Sequence, residues 1–374
     1  MNVVYVKRIV PLFFILGWLG TASGFAASLS PSLVKAKKDA EAKGYTFETS
    51  HDEIVAKAKK DGSVKVLMSL SPDNHKPTIE AFRRKYPFIN IEIREITGSD
   101  AFQNFLLGLK AGTVRDWDVG DAATDFYSEF PPYAMKFDIL GMARERVLAI
   151  DPRMVDPLHR TLVSVASTLA SVAYNKSHIA AEKVPNSWEE FLKPEMKGKK
   201  FVVNIRPNNM TSLMAGLGEE WGLNYARKVK EQEPIWGLGE TQILSSIARG
   251  EYALYQIANY HSCVRASQKD PTKSLVCKLI DPVPVRLHEM EFVTNGARHP
   301  YAALLFLEHQ ASPEAQKIID ENEPLKSSLY ADGEIARLVR GRKISVNDFR
   351  TFEKNSQWLA KVVEAYGFPR AGIK

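Results

Sequence analysis

Three polar stretches of this chain stand where helices are expected to begin: Ser71–His75, Gly98-Ser99-Asp100 and Asn208-Asn209-Met210-Thr211-Ser212. The first N–H groups of a helix have no partner inside it, and the helix dipole adds positive potential there. Such starts can hold an anion. Plain helix capping accounts for each stretch equally well. On the binding reading, Ser71, Asn74, His75, Ser99, Asn209, Thr211 and Ser212 are the candidate ligand contacts. Asp100 would repel an anion and reads better as a cap. Cys263 and Cys277 are the only cysteines; they either pair, as an oxidising compartment allows, or remain buried thiols. Without a histidine cluster they are no zinc site. The chain has no G-x-S-x-G elbow, no H-E-x-x-H, no Walker loop and no G-x-G-x-x-G after a strand. Its eight histidines are dispersed. Neither an enzyme nor a resident cofactor is expected.

The start of the chain reads as an export signal. Lys7 and Arg8 precede the apolar run Ile9–Gly20, and Thr21–Ala27 is small and polar. Gly24 and Ala26 occupy positions −3 and −1 of a cut after Ala26. The run is shorter than the roughly 20 residues that a spanning helix needs, and Pro11 interrupts it. An uncleaved anchor is the alternative. No cysteine marks a lipid anchor at the cut, so a protein released into the periplasm is expected. Apolar residues at 45% and charged ones at 25% are ordinary for a globular chain. Its length suggests two domains. The net charge of +6 falls to +4 without Lys7 and Arg8. That mild, scattered excess excludes a nucleic-acid binder and is compatible with an anionic ligand.

Strands and helices alternate along the chain. Ser30–Lys43 reads as a polar helical extension. Ser50 and Glu53 carry the spacing of a capping box for a helix ending at Gly62. Val64, Val66 and Met68 alternate with Ser63, Lys65 and Leu67 as a strand, and Pro77 suits the first turn of a helix to Lys85. Ile91, Ile93 and Ile96 mark a second strand. Phe102, Phe105, Leu106 and Leu109 fall at helical spacing, and a third strand lies near Trp117–Gly120. This order implies an α/β protein with helices on the faces of a sheet. Val163–Tyr174 is long enough to cross between lobes, and Pro282-Val283-Pro284 suits a return crossing. Phe201–Ile205 and Tyr252–Ala258 read as strands. Helices are expected near Thr211 or Ser212, at Thr241–Arg249, at Tyr301–His309 and over Asp348–Tyr366. Phe126, Tyr127 and Trp236 either line a cleft or pack in the core.

Several segments resemble the bacterial periplasmic solute-binding proteins of ABC importers, in the group that includes ferric-iron binders. They are Ala173-Tyr174-Asn175-Lys176, Val184-Pro185-Asn186-Ser187-Trp188-Glu189-Glu190-Phe191-Leu192 and Pro194-Glu195-Met196-Lys197-Gly198-Lys199. Nearer the C-terminus are Asn295-Gly296-Ala297-Arg298-His299-Pro300, Ala302-Ala303, Phe306 and Ser312-Pro313-Glu314-Ala315-Gln316. Ser187 with Glu190 would form a capping box, and Ser312 would cap a helix that Pro313 begins. These pieces report the fold and say nothing direct about the ligand.

The resemblance implies a type 2 two-lobed fold, each lobe a mixed sheet flanked by helices, with the ligand in the cleft between them. Residues 1–26 would be the signal peptide and 27–45 an extension. Residues 46–160 with 290–374 would form the first lobe, and 161–289 the second. A monomer that captures a small solute and delivers it to a permease and ATPase is implied; a secreted enzyme or a sensor subunit on the same scaffold are the rival roles. The iron-binding members use a histidine in the first loop, a carboxylate and two adjacent tyrosines. His75 matches that histidine, and Asn259-Tyr260-His261 matches the tyrosine pair with His261 in place of the second. Asp118–Ala123 has alanine at the carboxylate's place, with Asp121 and Asp125 close by. His75, Tyr260 and His261 are therefore the candidate metal ligands, for ferric iron as cargo. The alternative cargo is an organic or phosphorylated anion, with Tyr260 and His261 as ordinary cleft contacts or mere strand-end residues.

Overall fold

The computed structural model describes residues 30–367; the expected signal peptide lies outside them. In chain order the elements begin with α1 (Pro31–Glu41), α2 (His51–Asp61), β1 (Ser63–Met68), α3 (His75–Lys85), β2 (Asn90–Glu95), α4 (Ser99–Lys110), β3 (Val119–Ala122) and α5 (Ile139–Arg144). The long strand β4 (Val163–Asn175) follows, then β5 (Val202–Asn204), α6 (Asn208–Leu217), α7 (Glu219–Glu231), β6 (Ile235–Gly237), α8 (Glu240–Ala248), β7 (Leu254–Asn259), α9 (Tyr260–Lys269) and β8 (Leu275–Lys278). The chain returns through β9 (Val283–Val293), then α10 (Pro300–Gln310), α11 (Pro313–Asn322), α12 (Glu334–Leu338), β10 (Ile344–Asn347) and α13 (Asn355–Tyr366).

These strands form one mixed sheet in the order β2-β1-β3-β9-β4-β7-β5-β6, with β10 beside β9 and β8 beside β4. Every residue of β4 is buried, which is why its sequence shows no polar alternation. Val163–Leu169 pairs with β9, while Ala170–Tyr174 pairs with β7 and Val172–Asn175 with β8. The strand thus passes from one half of the sheet to the other. Two apolar clusters fill the first half, and two others, around Trp188 and Tyr255, fill the second.

Local chemistry explains most boundaries and corrects a few expectations. Gly62 ends α2 at φ 69, a left-handed conformation that glycine adopts at no steric cost. Ser50 precedes that helix without a side-chain cap; Asp52 and Glu53 instead place negative charge at its positive end. Ser187 starts no α-helix: Glu189–Leu192 is a single 3-10 turn, and Pro194 prevents its extension. Glu190 there accepts from the Asn186 N–H at 2.6 Å, while Trp188 is fully buried and donates Nε1 to the Pro282 carbonyl. Ser312 does cap α11, accepting from the Ala315 N–H. Helix α6 begins at Asn208, so Thr211 and Ser212 lie inside the helix and not at its start. A 3-10 turn at Phe352–Lys354 precedes α13, which packs on α7 with Trp358 Nε1 donating to Glu219 at 2.8 Å.

Cys263 in α9 and Cys277 in β8 are joined as a disulfide, 14 residues apart. A loop of that size gives about 3 kcal/mol in the chain-entropy picture. Cys277→Ser should lower unfolding stability by about that amount, read from urea melts in parallel with reduced wild type.

Candidate ligand-binding site

Strands β1, β2 and β3 run parallel, so their carboxyl ends emerge on one edge of the sheet. Ligands in open α/β sheets bind beyond that edge. A cavity of about 340 Å³ lies there. Ser69 follows β1, Gly98 and Ser99 open α4 after β2, and Thr124 follows β3; all four line the cavity. Across from them stand Arg286, His288 and Glu289 of β9, with Lys326 from the loop after α11 and Asn208 from the start of α6. Arg286 and His288 are two apart and share a strand face. Glu289, their neighbour, joins them because its φ of 49 breaks the alternation. Backbone held in this sparsely populated region is a recurrent mark of functional sites.

A buried charge network forms the floor. Lys326 Nζ lies 2.9 Å from Glu289 and 2.9 Å from Glu323. His288 Nδ1 meets the same Glu289 oxygen at 2.9 Å. Burial opposes the Lys326 charge, yet the two carboxylates raise its pKa above the ordinary lysine value. Burial alone would raise Glu289, but Lys326 and His288 override it and hold the carboxyl well below the usual range. Asp121 behaves oppositely: burial first, and then the Glu289 charge, push it well up. The two carboxyl groups are in hydrogen-bond contact, which requires a proton between them. That proton serves Asp121 Oδ1 and Glu289 Oε2, two buried oxygens with no other donor. The other Asp121 oxygen accepts from the Ser69 N–H at 2.9 Å and from its hydroxyl. Behind them burial raises Glu291 to about 8, opposed by a Gln310 hydrogen bond.

The residues singled out from sequence are distributed differently. Of the nine, only Ser99 lines this cavity; Thr211 lines an adjoining one of about 400 Å³. The Ser71 N–H and the Asn74 amide both donate to Glu323 at 2.8 Å, so they position the partner of Lys326. His75 turns Nε2 toward the Leu70 carbonyl at 3.3 Å. Asn209 donates to the Asn259 side chain and the Ile257 carbonyl, tying α6 to the end of β7. The Ser212 carbonyl accepts from the Ser345 hydroxyl on β10. Tyr260 packs beside the apolar cluster of the first half, its phenol raised by burial. His261 is held neutral, lowered to about 3 by burial and by the cations Lys326, Arg265 and Arg286. Among the described residues, no group of three His, Cys, Asp or Glu side chains converges as a metal-holding set. Phe126 lines both cavities, while Tyr127 is core and donates to Asp156. Arg286, His288, Glu289 and Lys326 escaped the sequence reading, since no motif surrounds them.

With this geometry in view, the comparisons are consistent. The chain belongs to the bacterial extracellular solute-binding protein family, which matches residues 145–355. No curated protein matches it in sequence. Ferric iron-binding protein A of Mannheimia haemolytica, in an open conformation, aligns with a TM-score of 0.64 at 15% identity, covering 82% of this chain and 100% of that one. The Trichodesmium protein IdiA (FutA), in complex with iron and citrate, gives 0.62 at 17%, again over 82% and 100%. The GABA receptor Atu4243 gives 0.58 at 16%, over 83% and 100%. The expected two-lobed type 2 fold is thereby established. Among the described residues, no helix is long and apolar enough to cross a membrane.

Glu291 links the site to pH. Its folded pKa of about 8 lies above the unfolded value near 4.3. Between those limits the native state binds more protons, so this group's contribution to stability falls as pH rises through the window. Glu291→Gln keeps the Gln310 contact and removes the titration. At pH 8 the variant should be more stable than wild type by on the order of a few kcal/mol, and the two should converge near pH 5, as read from urea melts across pH.

Proposed function

We propose that this chain is the solute-capturing component of an ABC importer and that its cargo is a small organic or phosphorylated anion. One observation carries the reading: the cavity beyond β1–β3 faces Arg286, Lys326 and the first turn of α4, while its carboxylates are already engaged. Glu289 and Glu323 are both paired with Lys326, and burial pushes the Asp121 carboxyl well up beside Glu289. The cationic side chains that line the cavity are Arg286 and Lys326. A volume of about 340 Å³ suits a small organic molecule.

In this reading residues 46–160 with about 290–350 form one lobe and 161–289 the other, except that Val163–Leu169 and β9 pair within the first lobe's half of the sheet. Helix α13 rides on the second lobe through its packing with α7. A solute that touches both lobes favours closure by binding the closed form more tightly. The closed form docks on a membrane permease driven by a separate ATPase. The role is capture and delivery, not catalysis, and the protein works as a monomer in the periplasm after loss of residues 1–26.

Ferric iron, named in the descriptions of two fold relatives, is the competing cargo. It would require His75, Tyr260 and His261 to act as ligands, whereas the anion reading leaves them outside the site. The two cargoes separate cleanly in titrations of mature protein with carboxylates, phosphate monoesters and ferric salt, followed by calorimetry and visible absorption. Arg286→Gln should weaken anion binding roughly tenfold to a hundredfold, the worth of a charge-assisted hydrogen bond, while His75→Ala and Tyr260→Phe leave it unchanged. A tyrosinate-to-iron band that disappears in Tyr260→Phe, with no anion bound, would overturn the proposal.

A further inference from the structure

We infer that the solute has two parts, an anionic head and an apolar group, and that α13 provides the wall that recognises the second. This rests on the anion reading of the first cavity. The adjoining cavity of about 400 Å³ shares Phe126, Asn208 and Arg286 with it, so a single molecule can extend from one into the other. Its remaining wall is largely α13, where Leu359, Ala360 and Val363 recur at helical spacing.

The surface of α13 explains why this wall is apolar. Trp358, Val362 and Tyr366 form one stripe, fully committed to the core of the second half. Leu359 and Val363 form a second stripe, half-buried and facing the cavity; Ala360 beside them is exposed. This second stripe lies outside the core and faces the adjoining cavity. Two of the polar side chains in this cavity, Thr211 and Asn355, are engaged within the protein. The Thr211 hydroxyl donates to the Asn208 carbonyl and accepts from Asn347 Nδ2, and Asn347 Nδ2 also reaches Asn355 Oδ1 at 2.9 Å. What they leave is an apolar surface completed by the Phe126 ring. Arg286 stands at the junction, where it can meet the head of a solute whose tail lies along α13. A bare inorganic anion or metal ion would leave this compartment unfilled.

The test uses two homologous series on mature protein: straight-chain carboxylates from acetate to octanoate, and alkyl phosphates from methyl to hexyl. In the series whose head binds, wild-type affinity should rise about fourfold for each added methylene, the worth of a buried CH₂, until the compartment is filled. Ala360→Trp projects a large ring into the compartment from an exposed position, so the fold is retained. It should bind the shortest member as wild type does and lose the rise with chain length; Leu359→Asn should blunt that rise. A series that is flat in wild type, or a rise that Ala360→Trp leaves intact, would overturn the inference while leaving the anion reading in place. Absence of binding by any member would refute the anion reading itself, and this inference with it. Concentration-dependent dimerisation abolished by Ala360→Trp would assign the face to a second copy of the chain and would also overturn the inference.

Discussion

A single buried ammonium organises the site. Lys326 is only 9% exposed at its side chain and lies 2.9 Å from each of two carboxylates that are themselves withdrawn from water. An unpaired charge at that depth would be costly, and so would either carboxylate alone. The three groups therefore require one another. Through them, separate parts of the chain are held in register. Glu289 belongs to β9, Glu323 ends the region of α11, and Glu323 in turn anchors the turn at Ser71 and Asn74 after β1. The cavity floor is the meeting point of these segments.

The same network decides the sign of the charge offered to a ligand. Four carboxyl groups lie within or just behind the cavity, and their surroundings drive them apart. Lys326 and His288 hold Glu289 well below the usual range, Glu323 is paired with Lys326, and burial pushes Asp121 and Glu291 up. A hard cation would need open anionic oxygens, and here Glu289 and Glu323 already hold Lys326. On the proposed reading an anion would meet Arg286 and the start of α4 instead. Fold relatives associated with iron and with GABA share the scaffold, which shows how little the architecture itself constrains cargo.

The fold was legible because its signals are local. The segment Asn295–Pro300 is an example: the Arg298 and His299 N–H groups donate to Asp118 Oδ1, and His299 Nδ1 meets Asp118 Oδ2 at 3.0 Å. Asp118 also accepts from the Lys65 N–H, so this motif locks β1, β3 and the start of α10 together. Ser312 and Pro313 begin a helix by their own chemistry, and the unbroken apolar run at Val163 announced a strand buried on both faces. Ser71, Asn74 and Asn209, read as possible ligand contacts, make hydrogen bonds at element junctions in this structure. The Ser71 N–H and the Asn74 amide meet Glu323, and the Asn209 amide meets the Ile257 carbonyl and the Asn259 side chain.

The cavity was not legible for the opposite reason. Its determinants are single residues on four or more distant segments, and none has a neighbour pattern that marks it. Arg286 and His288 look like ordinary alternating strand residues, and Glu289 joins them only through an unusual backbone angle. Lys326 sits in an unremarkable polar loop. By itself the sequence determined the order of strands and helices, the long crossing strand and the family resemblance, because propensity, capping and hydrophobic periodicity act over a few residues. Tertiary structure alone decided which charges meet, which carboxyls keep their protons and where α13 lies, because those depend on burial and on distances between groups hundreds of positions apart.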